Sequence, residues 1–187
     1  MPIPDFTADG LLPPYKGNPG NQAEISPYPA TTLELCKRLS KTQHRREILK
    51  GFLKFRALLR KLQITEGFQW VDGSFVEEVE RRTTRPPKDI QVVTFCNYPA
   101  LIDDPAFAND FDLLADLPKL RSQFHVDHTV VKLDWSPNDL VKNTNYWSGR
   151  LSHHYDTGTW KGLLRIDLHT TSEDNAAMHH LTSLERS

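Results

Sequence analysis

Gly67-Phe68-Gln69-Trp70-Val71-Asp72-Gly73-Ser74-Phe75-Val76-Glu77 is the stretch on which the fold turns. Phe68 to Val71 is rich in aromatic and β-branched side chains and reads as a short strand. Asp72-Gly73-Ser74 breaks it. Ser74 and Glu77 stand three residues apart in the capping-box pattern, hydroxyl then carboxylate, so a helix is expected to start at Ser74. The next element is again a strand. Asp89 to Cys96 (DIQVVTFC) is β-branched and follows the Pro86-Pro87 stop.

Reading outward keeps the alternation. Downstream, residues 104–122 read as a helix that Pro118 interrupts, Phe124 to Leu133 as a strand, and 137–148 as a helix opening near Ser136-Pro137. Leu163 to Leu168 reads as a further strand and 172–185 as a final short helix. Upstream, Thr31-Thr32-Leu33-Glu34 is a second capping box and opens a helix through about Leu39. Residues 42–62 form the best amphipathic helix, because Ile48, Leu49, Phe52, Phe55, Leu59 and Leu62 recur at three- and four-residue steps. Gly51 within it costs up to about 1 kcal/mol relative to Ala, which marks a close contact. Residues 1–30 carry seven of the thirteen prolines and read as an extended arm that wraps the domain or a second copy in a homodimer. The organisation is therefore an arm at 1–30 and one domain at 31–187, helical over 31–64 and mixed over 65–187. Strands alternating with helices after an all-helical start imply an α/β (mixed α+β) sheet flanked by helices.

Composition excludes several classes. The chain has 187 residues, with 23 basic and 24 acidic side chains and a net charge of −1. That length suits one domain, and 38% hydrophobic residues lie outside the disordered class. No apolar run approaches the roughly 18 residues that a membrane span needs. The opening MPIPDFTADG has no basic region followed by an apolar stretch, so no secretion signal is expected. Two cysteines make neither a disulfide framework nor a cysteine-based zinc site. A reduced, cytoplasmic protein is expected.

The near-zero net charge hides an asymmetry. Between Lys37 and Leu62 there are ten Lys and Arg side chains against the single acid Glu47. Between Asn97 and Pro118 there are Asp103, Asp104, Asp110, Asp112 and Asp116 and no base. A basic helix 42–62 is a candidate surface for an RNA acceptor or a protein partner. It is equally a solvated face, or one that docks on the acidic segment.

The chemistry-bearing residues fall in a fixed order. Gly73 permits close backbone approach, and Ser74 offers a hydroxyl at a helix start, which suits a polyphosphate. The alternative is an ordinary turn with a capping serine. Asp89 and Gln91 are two apart on a strand and share a face. Asp127, central on the next strand, is placed to complete a cluster with them, with Asp134 as its rival. Divalent metals held by such a cluster serve phosphoryl and nucleotidyl transfer, and Mg²⁺ suits a few carboxylates plus phosphate oxygens. Asp72 stands beside the glycine. Lys161, in the turn Gly158 to Gly162, is a candidate phosphate contact or a solvated loop lysine, and Arg150 has the same two readings. Tyr146 and Trp147 read as core aromatics. His125 and His128 face opposite sides of a strand, and the pairs 153–154 and 179–180 diverge, so no zinc site is expected. No Gly-x-Ser-x-Gly nucleophile elbow exists, and Cys36 reads as a buried structural thiol.

Together, DGS, the following helix, DIQVVTF and an acid on a later strand resemble the polymerase-beta-like nucleotidyltransferase superfamily. Its pattern is a Gly-Ser pair, then Asp-x-Asp or Asp-x-Glu on a strand, then a third carboxylate. The segments MPIPDFTADGLLPP, HRREILKGFLKFRALL, GFQWVDGSFVE, RPPKDIQVVTF, FHVDHTVVKLD, YWSGRLSH and DTGTWKGLLRI more closely resemble a small prokaryotic family with nucleotidyltransferase-like sequence. The resemblance implies a nucleoside triphosphate held at Gly73, Ser74 and Lys161. It also implies one or two Mg²⁺ ions at Asp89, Gln91 and Asp127. Asp89 and Asp127 would be catalytic, and a nucleoside monophosphate would pass to an acceptor. Gln91 departs from the pattern, because a neutral amide stands where the superfamily has a carboxylate. That departure implies weakened metal binding and impaired transfer. The alternative reading is an inactive nucleotidyltransferase-fold module acting on a partner, as in antitoxin or defence pairs.

Overall fold

The computed structural model describes residues 3–186; Met1, Pro2 and Ser187 lie outside the described residues. Among the described residues there are five strands and seven α-helices. In chain order these are β1 (Tyr28–Pro29), α1 (Thr32–Leu39), α2 (Gln43–Lys61), β2 (Phe68–Asp72), α3 (Val79–Thr83) and β3 (Ile90–Cys96). There follow α4 (Ala108–Ala115), α5 (Leu117–Phe124), β4 (Val126–Lys132), α6 (Pro137–Leu151), β5 (Leu164–Asp167) and α7 (Thr171–Ser183). The strands form one mixed sheet in the order β1-β5-β2-β3-β4. β2 runs antiparallel to β3 and β5, whereas β4 is parallel to β3 and β1 is parallel to β5. The α/β expectation holds.

Local chemistry explains the boundaries. Thr31 caps α1 through a complete capping box, with its hydroxyl accepting from Glu34 N at 3.1 Å and the Glu34 carboxylate accepting from Thr31 N at 2.8 Å. Thr42 and Ser136 cap α2 and α6, and Pro137 occupies the first turn of α6. The helix expected over 104–122 is two, because Asp116 ends α4 and caps α5 with Pro118 in its first turn. Phe124 closes α5 rather than opening β4, and the left-handed His125 makes the turn between them.

Period two along the strands separates the two faces of the sheet. Val71, Ile90, Val92, Val126, Leu164 and Ile166 pack with Phe52, Phe55, Leu59 and Leu181 into the larger core under the helices. Trp70, Val93, Phe95 and Val131 pack with Leu151 and Leu163 on the opposite face, with α6 residues Leu140 and Trp147 against them. Gly51 is where α2 meets the end of α5: a Cβ there would lie 2.2 Å from the Phe124 carbonyl oxygen. This is the close contact expected from the sequence.

The arm wraps its own domain. Leu11 and Leu12 are buried, and Tyr28 pairs with Leu164 at the sheet edge while its hydroxyl donates to Pro13 O at 2.8 Å. Four basic residues of α2 also turn inward, while Lys41, between α1 and α2, pairs at the surface. Arg45 binds Glu80, Arg56 and Arg60 bind Asp174, Lys50 binds Glu185, and Lys41 binds Glu78. Lys61 to Asp110 is the single ion pair between this helix and the acidic segment 97–118 among the described residues. No helix among the described residues is long and apolar enough to cross a membrane.

Candidate functional site

Register brings three polar residues into one row. Asp72 on β2 lies opposite Gln91 on β3, and Gln91 lies opposite Asp127 on β4. All three sit on the α6 face of the sheet, at the edge where its apolar packing ends. Asp89 lies just before β3, two residues from Gln91.

The helix expected at Ser74 does not form. Ser74–Val76 is a single 3₁₀ turn, Glu77 leaves it in extended conformation, and α3 begins at Val79. The backbone states the reason. Gly73 adopts φ 84°, in the region that favours glycine. A Cβ there would stand 3.2 Å from Gln91 Cβ. The chain is folded back onto Gln91, and Glu77 is drawn away from any capping role by two cations. Arg82 Nη2 lies 2.5 Å from Glu77 Oε2, and Lys161 Nζ lies 3.4 Å from Glu77 Oε1.

A cavity of about 200 Å³ opens beside this turn. Gly73, Ser74 and Lys161, the expected phosphate contacts, line it together with Gln91. Asp89 and Asp127 do not line it and stand on the β4 side of Gln91. Lys161 is not a solvated loop lysine. It is 3% exposed and pairs with Asp72 as well as Glu77. Its ammonium is thus committed to two carboxylates and not presented as a free phosphate contact. Burial pushes the Asp72 carboxyl up to about 6, against the pull of Lys161 and the Gly73 amide. His154 lies over the same network. Its Nε2 is 2.8 Å from Arg82 Nη1, and its Nδ1 is 3.0 Å from the Thr157 hydroxyl. Because the guanidinium only donates, Nε2 accepts and Nδ1 carries the proton. The arm braces both walls. Gly10 O accepts from Glu78 N and Leu12 O accepts from Gly162 N, each at 2.8 Å. Arg45 holds the turn from beneath, donating to the carbonyls of Phe75 and Glu77 at 2.7 Å.

Asp89 and Asp127 do converge, and a cation of the protein itself joins them. Arg121, in the last turn of α5, places Nη2 2.7 Å from Asp127 and Nε 3.7 Å from Asp89. Burial and the Asp127 charge raise the Asp89 carboxyl pKa, and Arg121 opposes them. The Mg²⁺ site implied by the resemblance is tested by these contacts. Arg121 offsets one of the two negative charges of Asp89 and Asp127, and the ligand between them in the pattern is a neutral amide. Among the described residues no three His, Cys, Asp or Glu side chains are grouped to hold a metal ion. Asp89, Gln91 and Asp127 are the residues that would hold Mg²⁺, and Arg121 would have to leave the two carboxylates for an ion to enter.

The sequence does not mark Glu77, Arg82, His154 or Arg121 as site residues: Glu77 reads as a cap, Arg82 as part of a connection, and His154 as one of a divergent pair. Nothing in local spacing joins them. Of the expected core aromatics, Trp147 is packed on the second core, whereas Tyr146 is 57% exposed.

No curated protein and no solved structure matches this chain. A family model described as a family of unknown function (DUF6932) matches residues 4–167, and the chain belongs to that family.

Proposed function

We propose that this chain is a nucleotide-binding module of nucleotidyltransferase-like fold, which takes the polyphosphate of a nucleoside triphosphate at the Gly73–Ser74 turn without metal-dependent transfer. The observation that carries this reading is the contrast between an open cavity at the turn and a closed carboxylate pair beside it. Among the described residues the Ser74 hydroxyl has no hydrogen-bond partner, and Arg150 has no ion pair beyond its place over the Trp147 ring. Three carboxylates (Asp72, Glu77, Asp156) and three cations (Arg82, Arg150, Lys161) line the cavity, so a net field contributes little. Directed donors supply the affinity. Asp89 and Asp127, which the resemblance makes catalytic, hold Arg121 instead. The buried thiols Cys36 and Cys96 fit a reducing compartment, which supports action in the cytoplasm. Four cations of the basic helix are paired within the chain, so this reading assigns the helix no RNA acceptor or protein partner.

Titration calorimetry with nucleoside triphosphates, in EDTA and in Mg²⁺, tests the reading. Binding is expected in both media with similar affinity, weakened about tenfold in Arg150→Ala, with no pyrophosphate released. The double variant Gln91→Asp/Arg121→Ala is expected to gain a Mg²⁺ dependence that the wild type lacks. Absence of binding in either medium overturns the proposal. Binding only in Mg²⁺ with pyrophosphate release replaces it with metal-dependent transfer.

A further inference from the structure

The cavity is small for the ligand it is assigned. Ordinary small-molecule pockets enclose about 300–1,000 Å³, whereas this one encloses about 200 Å³. It has room for the phosphate end of a nucleotide and leaves the base outside, against the rim. One side chain on that rim has no role in folding. Tyr155 is 93% exposed, yet it lines the cavity mouth with Arg150 and His153.

The loop carrying Tyr155 is fixed. His154 N donates to Thr159 O, Gly158 N to His154 O and Lys161 N to Ser152 O, each at 2.8 Å. His153 pairs with Trp160 in an isolated bridge, and His153 Nδ1 lies 2.7 Å from Gly149 O. The backbone that carries the ring is therefore pinned beside the cavity, so the loop itself needs little ordering for the ring to be used. Tyrosine has few rotatable bonds, so it gives flat contact area at low entropic cost.

We infer that Tyr155 is the platform on which the nucleobase stacks, so that the site selects a nucleoside polyphosphate over a bare polyphosphate. This inference rests on the polyphosphate reading of the same cavity. Stacking on an aromatic side chain is sequence-tolerant, so all four bases gain, purines most by ring area. It is worth about 1–3 kcal/mol per base, about 5- to 150-fold in affinity.

The test measures the affinity of each nucleoside triphosphate and of inorganic tripolyphosphate on the full chain, in EDTA. The quantity read is their ratio on each variant. Wild type is expected to prefer nucleoside triphosphates about tenfold. Tyr155→Ala brings the ratio to about one, Tyr155→Phe restores it, and Tyr146→Ala, at an exposed aromatic on α6 away from the cavity, leaves it intact. A wild-type ratio of one, or a ratio that survives Tyr155→Ala, overturns the stacking role while the polyphosphate site stands. If neither tripolyphosphate nor any nucleotide binds, both readings fall. Tyr155 is so exposed that its replacement does not threaten folding.

Discussion

The sheet carries a buried charge cluster on each face, and the two are built for different ends. Under the helices, Arg56 is 1% exposed in its side chain and hydrogen-bonds through every guanidinium nitrogen. Nε goes to Asp174, Nη1 to Gln69 at 2.6 Å, and Nη2 to Asp167 O and the Thr170 hydroxyl. The chain continues from Gln69 Nε2 to Thr94 at 3.0 Å and from Thr94 to His128 at 2.9 Å. It ties α2 and α7 to four strands, and none of its side chains lines the cavity beside Gly73. On the α6 face, Lys161, Asp72, Glu77, Arg82 and His154 make a network of similar size. That network forms the wall of an open cavity. A satisfied buried ion pair is weak evidence of function by itself. The difference lies in access: the first cluster serves only the fold, and the second meets solvent where the Gly73–Ser74 turn leaves donors free.

The comparison breaks if the first cluster proves dispensable. Arg56→Met leaves Asp174 with Arg60 and Thr32 alone and is expected to cost about 3 kcal/mol. For a chain of this size that is about 10 °C in melting temperature. Lys161→Met is expected to cost less, because burial has already raised the Asp72 carboxyl to about 6, so that it takes a proton readily once the ammonium is gone. Thermal and urea unfolding of the two variants, side by side, measure the contrast. Equal losses would erase it.

pH sharpens the same contrast with opposite signs. Burial lowers the His128 pKa from 6.5 to about 3, while the Asp72 pKa is raised from 3.8 to about 6. His128 stays neutral in the fold, and the unfolded chain takes the proton first on acidification. Its contribution is full above about pH 6.5 and is lost as pH falls toward 3. Asp72 stays protonated in the fold while the unfolded chain releases its proton first. Its contribution is full below about pH 4 and is lost as pH rises to about 6. His128→Gln should flatten the first limb of a stability–pH curve, and Asp72→Asn should flatten the second. An Asp72→Asn variant that keeps the wild-type slope between pH 4 and 6 would contradict the assignment.

The smallest effect gives the baseline. Lys61 pairs with Asp110, but its side chain is 60% exposed. Solvent screening limits such a pair to under about 1 kcal/mol, so Lys61→Ala should move the urea midpoint barely outside error. A larger shift would mean that surface pairs, and not the two buried clusters, hold α2 in place.

Much of the fold was legible because it is periodic. The three- and four-residue steps from Ile48 to Leu62 became α2, and the β-branched run before Cys96 became β3. Two capping boxes looked alike in sequence and behaved differently. Thr31 and Glu34 close on each other because nothing competes for them. Ser74 and Glu77 do not, because Gly73 folds onto Gln91 and Glu77 is taken by Lys161 and Arg82. The basic stretch read as a surface because its acids are scattered at Glu78, Glu80, Asp174 and Glu185. A window along the chain does not see partners that far away.

The sequence by itself determined the alternation of strands and helices, the shared face of Asp89 and Gln91, and the neutral amide at position 91. Those follow from local periodicity and side-chain chemistry, which each segment carries with it. Only the tertiary structure decided that Arg121 stands between Asp89 and Asp127, that Lys161 is buried against Asp72, and that Tyr155 stands exposed over the cavity. Such juxtapositions depend on which surfaces pack together. Packing is set by the burial of apolar area summed over the whole chain, not by the spacing of the polar residues it brings into contact.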